Sequence, residues 1–153
     1  MNAGRRGRPK AFFDEQEQNA IVDAIVAAER ATSGEIRVHL EHHCEAADAY
    51  ERARGLFEKL GMTATEQRNG VLLYLATGDG VFALIGDRGI DAVVGAGFWD
   101  DVVAMLEARF RAGEFSGGIT DAIARVGEKL SEFFPYAGDD SDINELDDDI
   151  SYS

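Results

Sequence analysis

A chain of 153 residues with 45% hydrophobic and 29% charged side chains has the make-up of one globular domain that can bury a proper core, which excludes fibrous and disordered classes. Its formal net charge of −14 repels nucleic acid and anionic membrane and favours cations as partners. The lone cysteine, Cys44, excludes an intramolecular disulfide framework and suits a reducing compartment. With no apolar stretch long enough for a bilayer and no signal-peptide core at the amino terminus, a cytoplasmic location and no membrane span are expected.

The composition along the chain divides it into a basic arm (1–11), a folded domain (12–136) and an acidic tail (137–153). The arm, MNAGRRGRPK at its start, is Gly-rich and aperiodic and reads as flexible. Its Arg6-Gly7-Arg8-Pro9 has the core of an AT-hook, whose arginines enter the A·T minor groove. The acidic body makes nucleic acid a disfavoured partner, and a solvated tail that folds back on the acidic body is the preferred reading.

Asp14 stands as an N-cap with Glu17 three residues on, and Ile21, Ala24, Ile25 and Ala28 follow at helical spacing up to Thr32-Ser33-Gly34. In EIRVHLE, Ile36, Val38 and Leu40 alternate with Arg37, His39 and Glu41, the pattern of a strand with one apolar and one mixed face. Ala46 to Leu60 carries a second helical stripe, stopped by Gly61. Val71–Ala76 and Val81–Ile85, joined by Thr77-Gly78-Asp79-Gly80, form a β-hairpin. The unbroken apolarity of VLLYLA predicts a strand covered on both faces. A short helix from Gly89 to Val94, a break at Gly95-Ala96-Gly97 and a longer helix through Trp99, Leu106 and Phe110 come next. A turn over Gly113–Gly118 then leads to a last helix ending at Pro135. In the tail, Ile143, Leu146 and Ile150 are the only apolar points and could dock a short turn on the body.

This order implies an α/β fold: a three-layer αβα sandwich with a small mixed sheet of three to four strands and about five helices. A right-handed crossover makes the first strand parallel to the second, and the hairpin makes the third antiparallel. Glu35, Arg68, Asn69 and Asp87 must then share one sheet edge, and Asp91, one helical turn past Asp87, reaches it as well. Glu35, Asp87 and Asp91, with Asp100 or Asn69, are the candidate metal ligands, because hard cations such as Ca²⁺ and Mg²⁺ take carboxylates, carbonyls and water. The competing structural roles are a cap on the following helix for Asp87, a helix-terminus position for Asp91, and pairing of Glu35 with Arg68 or Arg88.

His39, His43 and Cys44 lack the spacing of a four-ligand zinc site and read as structural or solvated. Catalytic signatures are missing. No arginine loop follows Cys44, Asp140-Ser141-Asp142 lies in the tail rather than at a strand end, and neither a G-x-S-x-G elbow nor a P-loop occurs.

Taken together, SGEIRVHLE, FEKLGMTATEQRNGVLLYLA, FALIGDRGID with a following Phe98-Trp99, and the closing GEKLSEFFP with an NEL in the tail resemble a TPM domain. The resemblance is to the short, stand-alone bacterial branch and runs from about Phe13 to Ile150. It implies an αβα sandwich and divalent-cation binding, with acid phosphatase activity proposed for some members. It matches Gly86–Asp91 to the family's loop after the hairpin and Glu35 to the polar residue that opens the first strand. Many relatives carry a signal peptide and a membrane helix, neither of which is recognisable here.

Three functions are therefore expected in order. The first is a Ca²⁺- or Mg²⁺-binding domain, with Glu35, Asp87, Asp91 and Asp100 at the metal, acting as an interaction or stress- and repair-related module with an unidentified protein partner. The alternative is a metal-assisted phosphomonoesterase at the same cluster, with Arg37, Arg68 or Arg88 on the phosphoryl oxygens. No residue is assigned as nucleophile or general acid. The third is DNA tethering through the arm.

Overall fold

The computed structural model describes residues 9–136 and 149–153. Arg6-Gly7-Arg8, Asp140-Ser141-Asp142, Ile143 and Leu146 lie outside them. The elements in chain order are α1 (Pro9–Phe12), α2 (Glu15–Glu29), β1 (Glu35–Glu41), α3 (Ala49–Lys59), a 3₁₀ turn (Met62–Ala64), β2 (Gly70–Ala76), β3 (Val81–Gly86), α4 (Arg88–Val94), α5 (Ala96–Arg111), α6 (Phe115–Phe133) and β4 (Ser151–Tyr152).

The sheet order is β3-β2-β1-β4. β1 runs parallel to β2 in the register Glu35↔Gly70, and β2 runs antiparallel to β3 in the register Val71↔Gly86. β1 also pairs in parallel with β4 through His39↔Ser151. The central strand β2 is buried along its whole length, as its run of apolar residues predicts. Its odd-numbered side chains Val71, Leu73 and Leu75 join Ile36, Val38 and Leu40 of β1 against α2, α5 and α6, where Ile21, Ile25, Leu106, Ile119 and Leu130 are buried. The even-numbered Leu72, Tyr74 and Ala76 meet Ala53, Leu56 and Phe57 of α3 on the opposite face. Alternation along a strand thus builds the three-layer αβα sandwich directly.

Local signals set most boundaries. The Asp14 carboxylate accepts from Glu17 N at 2.8 Å while the Glu17 side chain accepts from Asp14 N at 3.0 Å, so the expected capping box starts α2. α3 begins at Ala49 rather than Ala46, because Asp48 takes the N-cap and accepts from Glu51 N at 2.7 Å.

Two expectations are corrected. The segment Gly113–Gly118 is only partly a turn, since α6 already starts at Phe115. A Cβ on Gly118 would stand 3.1 Å from both Arg109 Cβ and Phe110 Cε1, so this glycine serves the close approach of α5 to α6. Likewise Ala96 and Gly97 belong to α5, leaving Gly95 (φ +75°) as the break. Of the tail's three apolar points, Ile150 docks as expected and is buried in the main core, but the last residues add the strand β4 to the sheet rather than a short turn.

Candidate functional site

The start of β1, the start of β2 and the end of β3 lie at one edge of the sheet. Asp87 N donates to Gly70 O at 2.9 Å, and Glu35 N donates to Asn69 O at 3.4 Å. Glu35, Asn69 and Asp87 are all buried, and Asp91 lies one turn along α4, its N–H donating to Asp87 O at 3.0 Å. The juxtaposition deduced from the crossover and the hairpin is present.

The carboxylates have definite tasks there. Asp87 accepts from Arg68 Nε at 2.7 Å and from Arg68 Nη2 at 3.0 Å, a fork-on-carboxylate pair, and also from Arg88 N at 2.8 Å as the N-cap of α4. Arg68 is held for this purpose. It is the one non-glycine with positive φ among the described residues (+52°), and its carbonyl accepts from Gly89 N at 2.8 Å. Asp91 accepts from Trp99 Nε1 at 2.9 Å. Desolvation raises the Asp91 carboxyl above its ordinary value and the neighbouring Asp87 charge adds to the rise, while the Trp99 hydrogen bond opposes it. Asn69 is anchored by Ser33 Oγ at 3.3 Å.

Asp100 is exposed on α5. Among the described residues no three His, Cys, Asp or Glu side chains stand together as a group that could hold a metal ion. Glu35, Asp87 and Asp91 therefore share an edge without forming such a group. Beside Asp91 a cavity of about 270 Å³ opens between Tyr50, Gly86, Ala96 and Trp99.

At the other end of the strands the structure builds a polar network that sequence reading did not assemble. His39 and Glu41 fall on the α3 face of β1 by alternation, beside Tyr74 of β2. Glu41 accepts from Arg52 Nη2 at 2.6 Å and Nε at 3.0 Å, from Tyr74 Oη at 2.5 Å and from Ser153 Oγ at 2.9 Å. His39 bonds Ser151 Oγ through Nδ1 and Ser153 Oγ through Nε2, both at 2.7 Å. Burial lowers the His39 pKa to about 4; Glu41 pulls it up, and Arg52, Arg37 and Lys59 push it further down. Burial also drives Glu41 upward, but hydrogen bonds from Arg52, Tyr74 and Ser153 outweigh that and hold it at about 2. A neutral histidine and an ionised glutamate thus clamp the last strand onto β1. The available signal was the i, i+2 spacing of His39 and Glu41 on a mixed face; their serine partners lie 112 and more positions away.

His43 does not join His39. It pairs with Asp79 at the hairpin tip at 2.8 Å, and Cys44 N donates to the same carboxylate at 2.6 Å. This corner closes the loop after β1 onto the hairpin. Cys44 is a free thiol and is half-buried.

Comparison with known proteins agrees with this architecture. The family model described as "TPM domain" matches residues 8–129. Among solved structures, the NMR structure of the BA42 protein from the psychrophilic bacterium Bizionia argentinensis sp. nov. is similar with a TM-score of 0.84 and 43% sequence identity, over 93% of this chain and 96% of that one. No curated protein matches. Among the described residues, no helix is long and apolar enough to cross a membrane.

Proposed function

We propose that this chain, which belongs to the TPM domain family, binds Ca²⁺ or Mg²⁺ at the Asp87–Asp91 edge of its sheet and works as an interaction module of the stress- and repair-related kind. The observation that carries the reading is the placement of Asp91 one helical turn from Asp87 at one sheet edge, where desolvation and, against the Trp99 hydrogen bond, the Asp87 charge raise the Asp91 carboxyl. A divalent cation between such groups relieves their repulsion, and the relief is linked to folding. Glu35 and Asn69, at the same edge, supply further oxygen donors. Among the described residues no three carboxylates converge, so a cation here would keep much of its water and take backbone carbonyls for the rest. A cation here would neutralise the edge and steady the α4 loop.

Binding is preferred over phosphomonoester hydrolysis because Arg68, one of the three arginines expected at the phosphoryl oxygens, is already held by both Asp87 oxygens. A phosphoryl group would have to displace that carboxylate to use it, whereas a cation can enter at Asp91, which no arginine holds among the described residues, and share Asp87 with Arg68.

Thermal melting with millimolar Ca²⁺ or Mg²⁺ tests the proposal. Cation at ten times its Kd raises stability by about 1.4 kcal/mol, and the gain disappears in Asp87→Asn and Asp91→Asn. Either substitution keeps a side-chain acceptor for the cap or for Trp99. No gain in the parent protein, or an equal gain in both variants, refutes the assignment.

A further inference from the structure

The strand β3 is an outer strand of the sheet, and among the described residues its outer edge lacks the devices that usually protect one. Val81–Gly86 reads VFALIG, with no charge, no proline and no bulge, the description of an edge that accepts another strand. Asp87 N bonds Gly70 O, so in the observed register the residues turned toward β2 are Ile85, Ala83 and Val81. The backbone N–H and C=O groups of Phe82, Leu84 and Gly86 then face outward.

A groove follows this edge. Its first cavity, about 270 Å³, touches Leu84, Ile85 and Gly86 and is walled by Tyr50 of α3 and Trp99 of α5. The second, about 740 Å³, touches Gly80, Val81 and Phe82 and is walled by Ala49 of α3 and Phe110 of α5. Together they span the strand. Tyr50 and Val81, 54% and 39% exposed, are among the few large apolar side chains left open to solvent, and both line it.

We propose that this groove is a strand-addition site for an extended, cationic segment of a partner protein. The outward amides and carbonyls supply the ladder, the two cavities take alternate apolar side chains, and charge selects the partner. Asp91 lies in one cavity and Asp48 and Glu107 in the other, against Arg111 alone, within a chain of net charge −14. The same charge disfavours a second copy laid edge to edge.

The site is tested on the full chain by two-dimensional NMR in EDTA, which keeps the outcome independent of cation binding. Three synthetic peptides of the length of β3 serve as probes: one alternating Val with Lys, one alternating Val with Glu, and the Val/Lys peptide N-methylated at every second residue. The Val/Lys peptide is expected to give saturable shifts at Phe82, Leu84, Gly86, Tyr50 and Trp99, with amide exchange at Phe82, Leu84 and Gly86 slowed about tenfold. Asp48→Asn with Glu107→Gln weakens it, and the N-methylated and Val/Glu peptides do not bind. No saturable shift with the Val/Lys peptide, or equal binding of the N-methylated one, overturns strand addition; equal binding of the Val/Glu peptide overturns the charge selection. Concentration-dependent β3 shifts without peptide would name a second copy as occupant. Binding that appears only after removal of residues 1–8 would name the chain's own arm. Either result replaces the proposed partner.

Discussion

Acidification from pH 7 to pH 4 is expected to unload the clamp between β1 and β4 through His39. Its imidazole is 1% exposed and sits between two serine hydroxyls, with a pKa lowered from 6.5 to about 4. In the unfolded chain the same ring titrates near its ordinary value, so between these limits the unfolded state binds the extra proton. Stability is therefore fully present above pH 6.5 and is lost as pH falls toward 4. A difference of that size corresponds to about 3 kcal/mol, which in a domain of this length moves Tm by roughly 6–12 °C. Below this window Glu41, lowered from 4.5 to about 2, continues the loss in the same direction. Urea unfolding of the parent and of His39→Gln at several pH values between 7 and 4 isolates the term, since glutamine keeps a donor and an acceptor for the serines but does not titrate. The parent should lose about 3 kcal/mol more than the variant over that range. Parallel pH profiles, or a His39 imidazole that titrates near 6.5 by NMR, would refute the reasoning.

Removing Arg52 (Arg52→Ala) leaves the Glu41 carboxylate, 10% exposed as a side chain, without its cation; a loss of about 3 kcal/mol is expected in chemical denaturation, with partial rescue by Arg52→Lys. Gly89→Ala would place a Cβ 2.2 Å from Gln67 O and 2.5 Å from Arg68 O, both backbone atoms that cannot swing aside. The variant should lose at least about 2 kcal/mol, and an unchanged denaturation midpoint would contradict the packing of this loop. Ending the chain at Asp149 exposes the site of Ile150, 6% exposed in the fold, and should cost about 2–3 kcal/mol. The same truncation should move the His39 titration back toward its ordinary value, because the ring loses its cover.

The sheet was legible because its signals are local and its chirality is not free. Alternation in EIRVHLE, the apolar run of VLLYLA and the Gly-Asp-Gly turn define three strands, and the handedness of the crossover then leaves one arrangement. The shared edge of Glu35 and Asp87 follows from topology alone, and the register confirms it. What topology could not supply is side-chain commitment. Whether Asp87 meets a cation or Arg68 depends on the positive φ of Arg68 and the close backbone approach at Gly89, neither of which leaves a pattern in the sequence. Gly118 misled in the opposite sense: a residue that signals a turn can equally mark a close helix contact, and only the partner helix decides.

The two outer strands of this sheet explain why its two ends differ in chemistry. On the β1 side the chain supplies its own cover: Ile150 enters the core, Ser151 and Ser153 occupy both nitrogens of His39, and Ser153 completes the shell of Glu41. A buried neutral imidazole beside a buried carboxylate would be costly without those hydroxyls, so the tail's last residues are structural although the stretch before them is acidic. On the β3 side no described residue performs that service, and the outward groups of Phe82, Leu84 and Gly86 stand between two cavities. Asp91 sits where the sheet edge bearing Asp87 meets this groove. A cation at Asp87 and Asp91 would then alter the charge that a strand along β3 encounters, and the two proposed sites would be coupled through one carboxylate. Repeating the Val/Lys peptide titration in Ca²⁺ instead of EDTA reads that coupling directly: weaker peptide binding in Ca²⁺, with the difference absent in Asp91→Asn, is the outcome this geometry requires.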